Sequence, residues 1–237
     1  MSVGAVMLVR MNDDAFWALI DELSRRPGDR DERLEWLRTE LLGRPAAESV
    51  EFQVRLEDAC EAAGTRALWR AADRVEGGAC TDDGFHYFTL WLVGQGRKAY
   101  ESVAADPDAL ADVPGIRALA GRHRDEWDDD EWPEWEELDY VAQDAFDELT
   151  GQEDDDGEEF LDAVEEAAEE LADERGDAFS DEPSGRFQGD VSGRFSGDFS
   201  GGFSGGWEEG GAPRGTRPEG VAIPRLTALF PVGTAGS

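Results

Sequence analysis

The chain has 237 residues, a third of them charged, and 56 acids against 22 bases give it a formal charge of -34. So acidic a surface repels the phosphates of DNA and RNA and the anionic face of a membrane, leaving basic proteins and cations as the partners it would attract. Two cysteines, Cys60 and Cys80, are too few for a disulfide framework or a metal knuckle and read as reduced, buried thiols of a cytoplasmic protein. The apolar run 3–9 is preceded by no base and followed by Asp13 and Asp14, so it does not read as a secretory signal. No later run approaches the ~20 apolar residues of a membrane span.

In chain order, Asn12 or Asp13 can cap a first helix whose apolar face is Phe16, Trp17, Leu19, Ile20 and Leu23, and Pro27-Gly28 stops it. A second helix over 31–42 turns Leu34, Leu37, Leu41 and Leu42 inward and closes at Gly43. Pro45 opens a third, through Val50, Phe52, Val54, Leu56 and Cys60 to Gly64. Thr65 starts a fourth that Gly77-Gly78 breaks. Asp82 or Thr81 then caps a fifth over 83–95, and Gly96 separates it from a helical piece over 97–105. After turns at 106–108 and 113–115, Trp135, Leu138, Val141, Ala142, Ala145, Phe146 and Leu149 recur at steps of three and four, which predicts a last core helix over 133–149. The short turns between these pieces belong to antiparallel neighbours, so the fold class is all-α, a compact array of about six to eight helices over 12–151.

Beyond 151 the character changes. Residues 125–182 carry 29 of the 56 acids and one base, Arg175. Within the acidic stretch 152–182, a helix over 158–174 has only the narrow apolar stripe Phe160, Val164, Ala167, Ala168 and Leu171; it can lie on the core, extend into solvent or wait for a partner's groove. Six tetrads of Ser/Gln-Gly-x-aromatic or Val pattern fill 184–207, too Gly-rich for a helix, and make 183–220 a disordered tail. The apolar residues at 223–230 suit 221–237 to docking back on the domain.

The densest chemistry lies between Gly77 and Arg97. Asp82, Asp83 and His86 share a helical face and could gather a metal or serve as acid and base; Arg97 after Gly94-Gln95-Gly96 could hold an anion at a cleft, with Trp91 in its wall. The plainer reading gives Asp82 and Asp83 to capping and the helix dipole, the aromatics to packing, and Arg97 to a bracket with Asp82 or Asp83. Trp127, Trp132 and Trp135 among acids could form a docking surface, or anchor a loop to the core. No P-loop, nucleophile elbow, HExxH or CxxC occurs, and no cofactor is implied.

Several of these residues also carry a family resemblance. Phe16-Trp17, Trp69, Gly78-x-Cys80-x-Asp82-Asp83-Gly84-Phe85-x-Tyr87-Phe88, Trp91-Leu92-x-Gly94-Gln95-Gly96-Arg97, Asp106-Pro107 and the run from Tyr140 to Gly151 resemble the domain-of-unknown-function 4240 family of bacterial proteins, as does the close at Pro224-Arg225-Leu226 to Phe230. The resemblance covers about 13–151 and implies no activity; the acidic helix and the tetrads depart from it. The function expected is a non-catalytic interaction or regulatory module, the alternatives being a ligand- or metal-binding enzyme on the Asp82, Asp83, His86 and Arg97 cluster, or a polyanion mimic that occupies a basic protein.

Overall fold

The computed structural model describes residues 11–151, 157–178 and 222–231. Four of its core helices start where a side-chain oxygen accepts an unpaired amide of the first turn. Asn12 accepts the Ala15 N–H to open α1 (Asp13–Arg25), and Asp29 accepts that of Glu32 for α2 (Arg30–Leu42). Pro45 precedes α3 (Ala46–Ala63); Thr65 accepts the Leu68 N–H for α4 (Arg66–Val75), and Thr81 that of Gly84 for α5 (Asp82–Gly94). Gly96, at φ +93°, lets the chain turn into α6 (Arg97–Ala105), and a 3-10 helix (Pro107–Asp112) leads to α7 (Pro114–Leu119). Residues 120–140 form a strap with three short 3-10 turns before α8 (Val141–Thr150), which a left-handed Gly151 ends. With α9 (Glu158–Ala178) and α10 (Pro224–Leu229), the described residues hold ten α-helices and no strand. The fold is the all-α helical array that the periodicity implies.

Helix α3 is the hub, packed against α1, α2, α5, α8 and α9. Its Phe52 and Leu56 are fully buried, and the Phe52 ring lies 5.2 Å from Phe16. Helix α5 has an unbroken run of buried residues from Phe88 to Gly94, the mark of a helix enclosed on most sides. Tyr100 on α6 ties this layer to α3: its ring meets Trp17 at 4.9 Å and its hydroxyl donates to the Ala59 carbonyl at 2.7 Å. Truncating such a side chain as Phe52 to Ala typically costs about 3–5 kcal/mol.

Two stretches differ from, or choose among, the readings of the sequence. The expected helix over 133–149 begins only at Val141, after a 3-10 turn at Glu136–Asp139. The cause is Trp135, whose backbone N–H donates to the Tyr87 carbonyl on α5 at 3.0 Å and whose indole covers Gly94. A Cβ on Gly94 would stand 2.5 Å from that ring. The acidic helix α9 lies on α3 and α8, with Phe160 and Val164 buried and the Phe160 ring 5.3 Å from Phe146. The Gly-rich tetrads at 184–207 lie outside the described residues.

Candidate functional site

The motif centred on α5 is split by the helix that carries it. Asp82 and Asp83 sit exposed in the first turn, where a negative charge suits the helix dipole. Arg97 follows the other end, roughly 18 Å away at 1.5 Å per residue. There its guanidinium pairs with Asp14 of α1 and with Glu101, both at 2.8 Å, and its N–H donates to Asp21 at 2.8 Å. The structure therefore does not bring Arg97 to Asp82 or Asp83. Trp91 is buried on the inner face of α5, 5.5 Å from the Phe88 ring.

His86 leans instead toward the strap. Its Nε2 lies 3.1 Å from Asp139 Oδ2; Asp139 Oδ1 accepts from the Gln53 amide at 3.2 Å, and that amide also donates to Glu57 at 3.1 Å. This chain joins α5, the strap and α3. The bond to Asp139 raises the His86 pKa, against the opposing effect of burial. Neither cysteine is poised as a nucleophile: burial pushes the Cys60 thiol up to about 12, and burial beside Glu76 raises that of Cys80. Among the described residues, no three His, Cys, Asp or Glu side chains are gathered closely enough to hold a metal ion.

The three tryptophans of the strap have separate fates. Trp127 and Trp135 are buried; Trp132 is half-buried, meets Trp127 edge-on at 5.0 Å and lines a cleft. Arg30, at the start of α2, holds the strap from beneath. It donates to the carbonyls of Glu134 at 2.6 Å, Asp130 at 2.8 Å and Trp132, and burial lowers its pKa. Arg33 lies 5.0 Å over the Trp135 ring.

Between strap, α2 and α8 run two open clefts that share Glu137. One, of about 420 Å³, is lined by Arg30, Tyr87, Asp129, Trp132, Glu134, Glu136 and Glu137. The other, of about 290 Å³, runs on along Asp31, Leu34, Glu35, Arg38, Tyr140, Val141 and Asp144. At their junction the Tyr87 hydroxyl donates to Glu136 Oε1 at 2.9 Å, and that of Tyr140 reaches the same oxygen at 3.4 Å. This bond pushes the Tyr87 phenol up to about 12. Tyr140 is half exposed. Both trough arginines are engaged, Arg30 by the strap carbonyls and Arg38 by Glu148 and Glu35, which leaves the acids in excess.

Behind this wall, Glu76 is buried beside Cys80 with one carboxylate oxygen unpaired among the described residues. Burial and the nearby charge of Glu134 push its pKa up to about 7. Arg30, Glu76, Glu136 and Asp139 were not singled out by spacing, because each takes its role from a partner far along the chain. Tyr140 carried a signal as a large aromatic opening a helix, but the periodicity points past it to Val141.

The model of a family described as a protein of unknown function (DUF4240) matches residues 11–148. No curated protein and no solved structure matches the chain.

Proposed function

The chain belongs to the DUF4240 family, and from that starting point we propose that it is a non-catalytic interaction module whose acidic, tyrosine-flanked trough seats a basic segment of a protein partner. The observation that carries this reading is the junction at Glu136, where one carboxylate stands between two phenols while, among the described residues, the trough arginines are already engaged by the strap carbonyls, Glu35 and Glu148. A guanidinium or ammonium placed there would meet several carboxylates beside two tyrosine side chains, and a cation–aromatic contact at such an exposed site is worth about 0.5–1 kcal/mol. The outward acids of α9 extend the negative field and would speed encounter with such a partner. Against an enzyme built on Asp82, Asp83, His86 and Arg97 stands the length of α5 between the carboxylates and the arginine.

The test is fluorescence anisotropy with a labelled hexa-arginine peptide at low and high salt. Glu136→Lys is compared with Glu165→Lys, the same reversal on the exposed side of α9. Loss of about tenfold or more for Glu136→Lys, against less than threefold for Glu165→Lys, is the expected outcome. Equal losses would reduce the chain to a diffuse polyanion and overturn the trough.

A further inference from the structure

A second recognition device lies elsewhere, under the C-terminal segment. Asp108, in the 3-10 helix Pro107–Asp112, is 4% exposed. Its Oδ1 accepts the backbone N–H groups of Arg225 and Leu226, each at 3.0 Å, and its Oδ2 accepts that of Arg225 at 3.1 Å. Among the described residues, these amides are the only hydrogen-bond partners of the carboxylate. The Arg225 guanidinium pairs with Asp112, Leu226 is fully buried and Phe230 nearly so, and α10 rests on this 3-10 helix and on α4.

Two physical points follow. A six-residue helix is far below the ~12–15 residues at which isolated helices become marginal, so α10 owes its form to the groove. While the segment is seated, the buried Asp108 carboxylate has its charge met by two main-chain amides, so the segment satisfies the groove as well as filling it. The groove thus reads a helix start through main-chain amides, an arginine through Asp112 and two apolar side chains. All of these features lie within residues 222–231, and 45 residues separate Ala178 from Pro224.

We propose that the groove between Pro107–Asp112 and α4 is a peptide-recognition site for a short helix beginning Pro-Arg-Leu, and that its ligand in trans is the C-terminal segment of a second copy of this chain. The contacts are the same whichever copy supplies the segment. Covalent connection favours a chain's own segment, so the trans occupant shows itself when the resident one is disabled.

The experiment uses full-length variants. Leu226→Asp spoils the segment and keeps the groove; Asp108→Ala spoils the groove and keeps the segment. A labelled peptide of residues 222–231 is expected to bind Leu226→Asp saturably, and to bind Asp108→Ala, or the double variant, about tenfold or more weakly, as loss of charge-assisted hydrogen bonds implies. Native mass spectrometry of the two variants mixed is expected to show a one-to-one complex between them. Equal peptide binding by both variants would place the peptide on another surface and overturn the site. Peptide binding without the mixed complex would confine the groove to its own chain and overturn the partner. Arg225→Pro removes one of the amides while keeping Leu226. If both segment variants lose their helical circular dichroism, the segment is an obligate part of the core and exchange is overturned.

Discussion

His86 sits in the second turn of α5 and is bound to an aspartate 53 positions away. That bond raises its pKa, and burial raises that of Glu76 to about 7. Both groups bind protons more tightly folded than unfolded, so the stability each contributes is complete below its unfolded pKa and is lost as pH rises through the folded value. The windows differ. For Glu76 the loss falls between 4.5 and about 7, and for His86 it begins near 6.5 and continues to its raised value. In thermal melts across pH 4–9, Glu76→Gln should therefore gain on the wild-type chain through the first window, by up to about 3 kcal/mol. His86→Ala should cost about 0.5–1 kcal/mol below pH 6.5 and less above it, since the side chain is two-fifths exposed. A flat difference for Glu76→Gln would mean that its carboxyl is solvated. Neither environment is legible in the sequence, because His86 takes its partner from the strap and Glu76 is raised by burial and by the strap's Glu134.

The strap is the element that builds the trough, and α2 holds it mainly through Arg30, with Arg33 over the Trp135 ring. Arg30→Ala removes hydrogen bonds to three carbonyls at once, with a loss of about 2–4 kcal/mol in chemical denaturation. Hydrogen exchange should rise over 127–135 and not over α3; unchanged protection of the strap would show that the tryptophans alone anchor it. The helices were legible from residues that act locally: Asn12, Thr65 and Thr81 do cap α1, α4 and α5, and Gly43 and Gly64 do close α2 and α3. The start of α8 was not, because the apolar spacing from Trp135 onward fits a helix while Trp135 itself is drawn down onto Gly94, 41 residues earlier. Helical periodicity records which side chains are buried, not which backbone brings them there. The candidate cluster illustrates the same limit: Asp82, Asp83 and Arg97 are near in sequence and far apart on a rigid rod.

For the whole molecule, a charge of -34 is a standing cost of self-repulsion and, equally, a field that draws cations in from a distance. A uniform field would not distinguish one face from another, whereas the trough between the strap and α8 adds shape and two phenols to the charge. That local concentration of features is the centre of the functional proposal, and amide chemical-shift mapping tests it most directly. Titrating hexa-arginine into the labelled full chain at about 150 mM salt, where the Debye length is about 8 Å, should move the resonances of Tyr87, Glu136, Glu137 and Tyr140 first and furthest. Saturable shifts confined to that trough are the predicted result; shifts spread evenly over the acidic surface, or centred on α9, would contradict it.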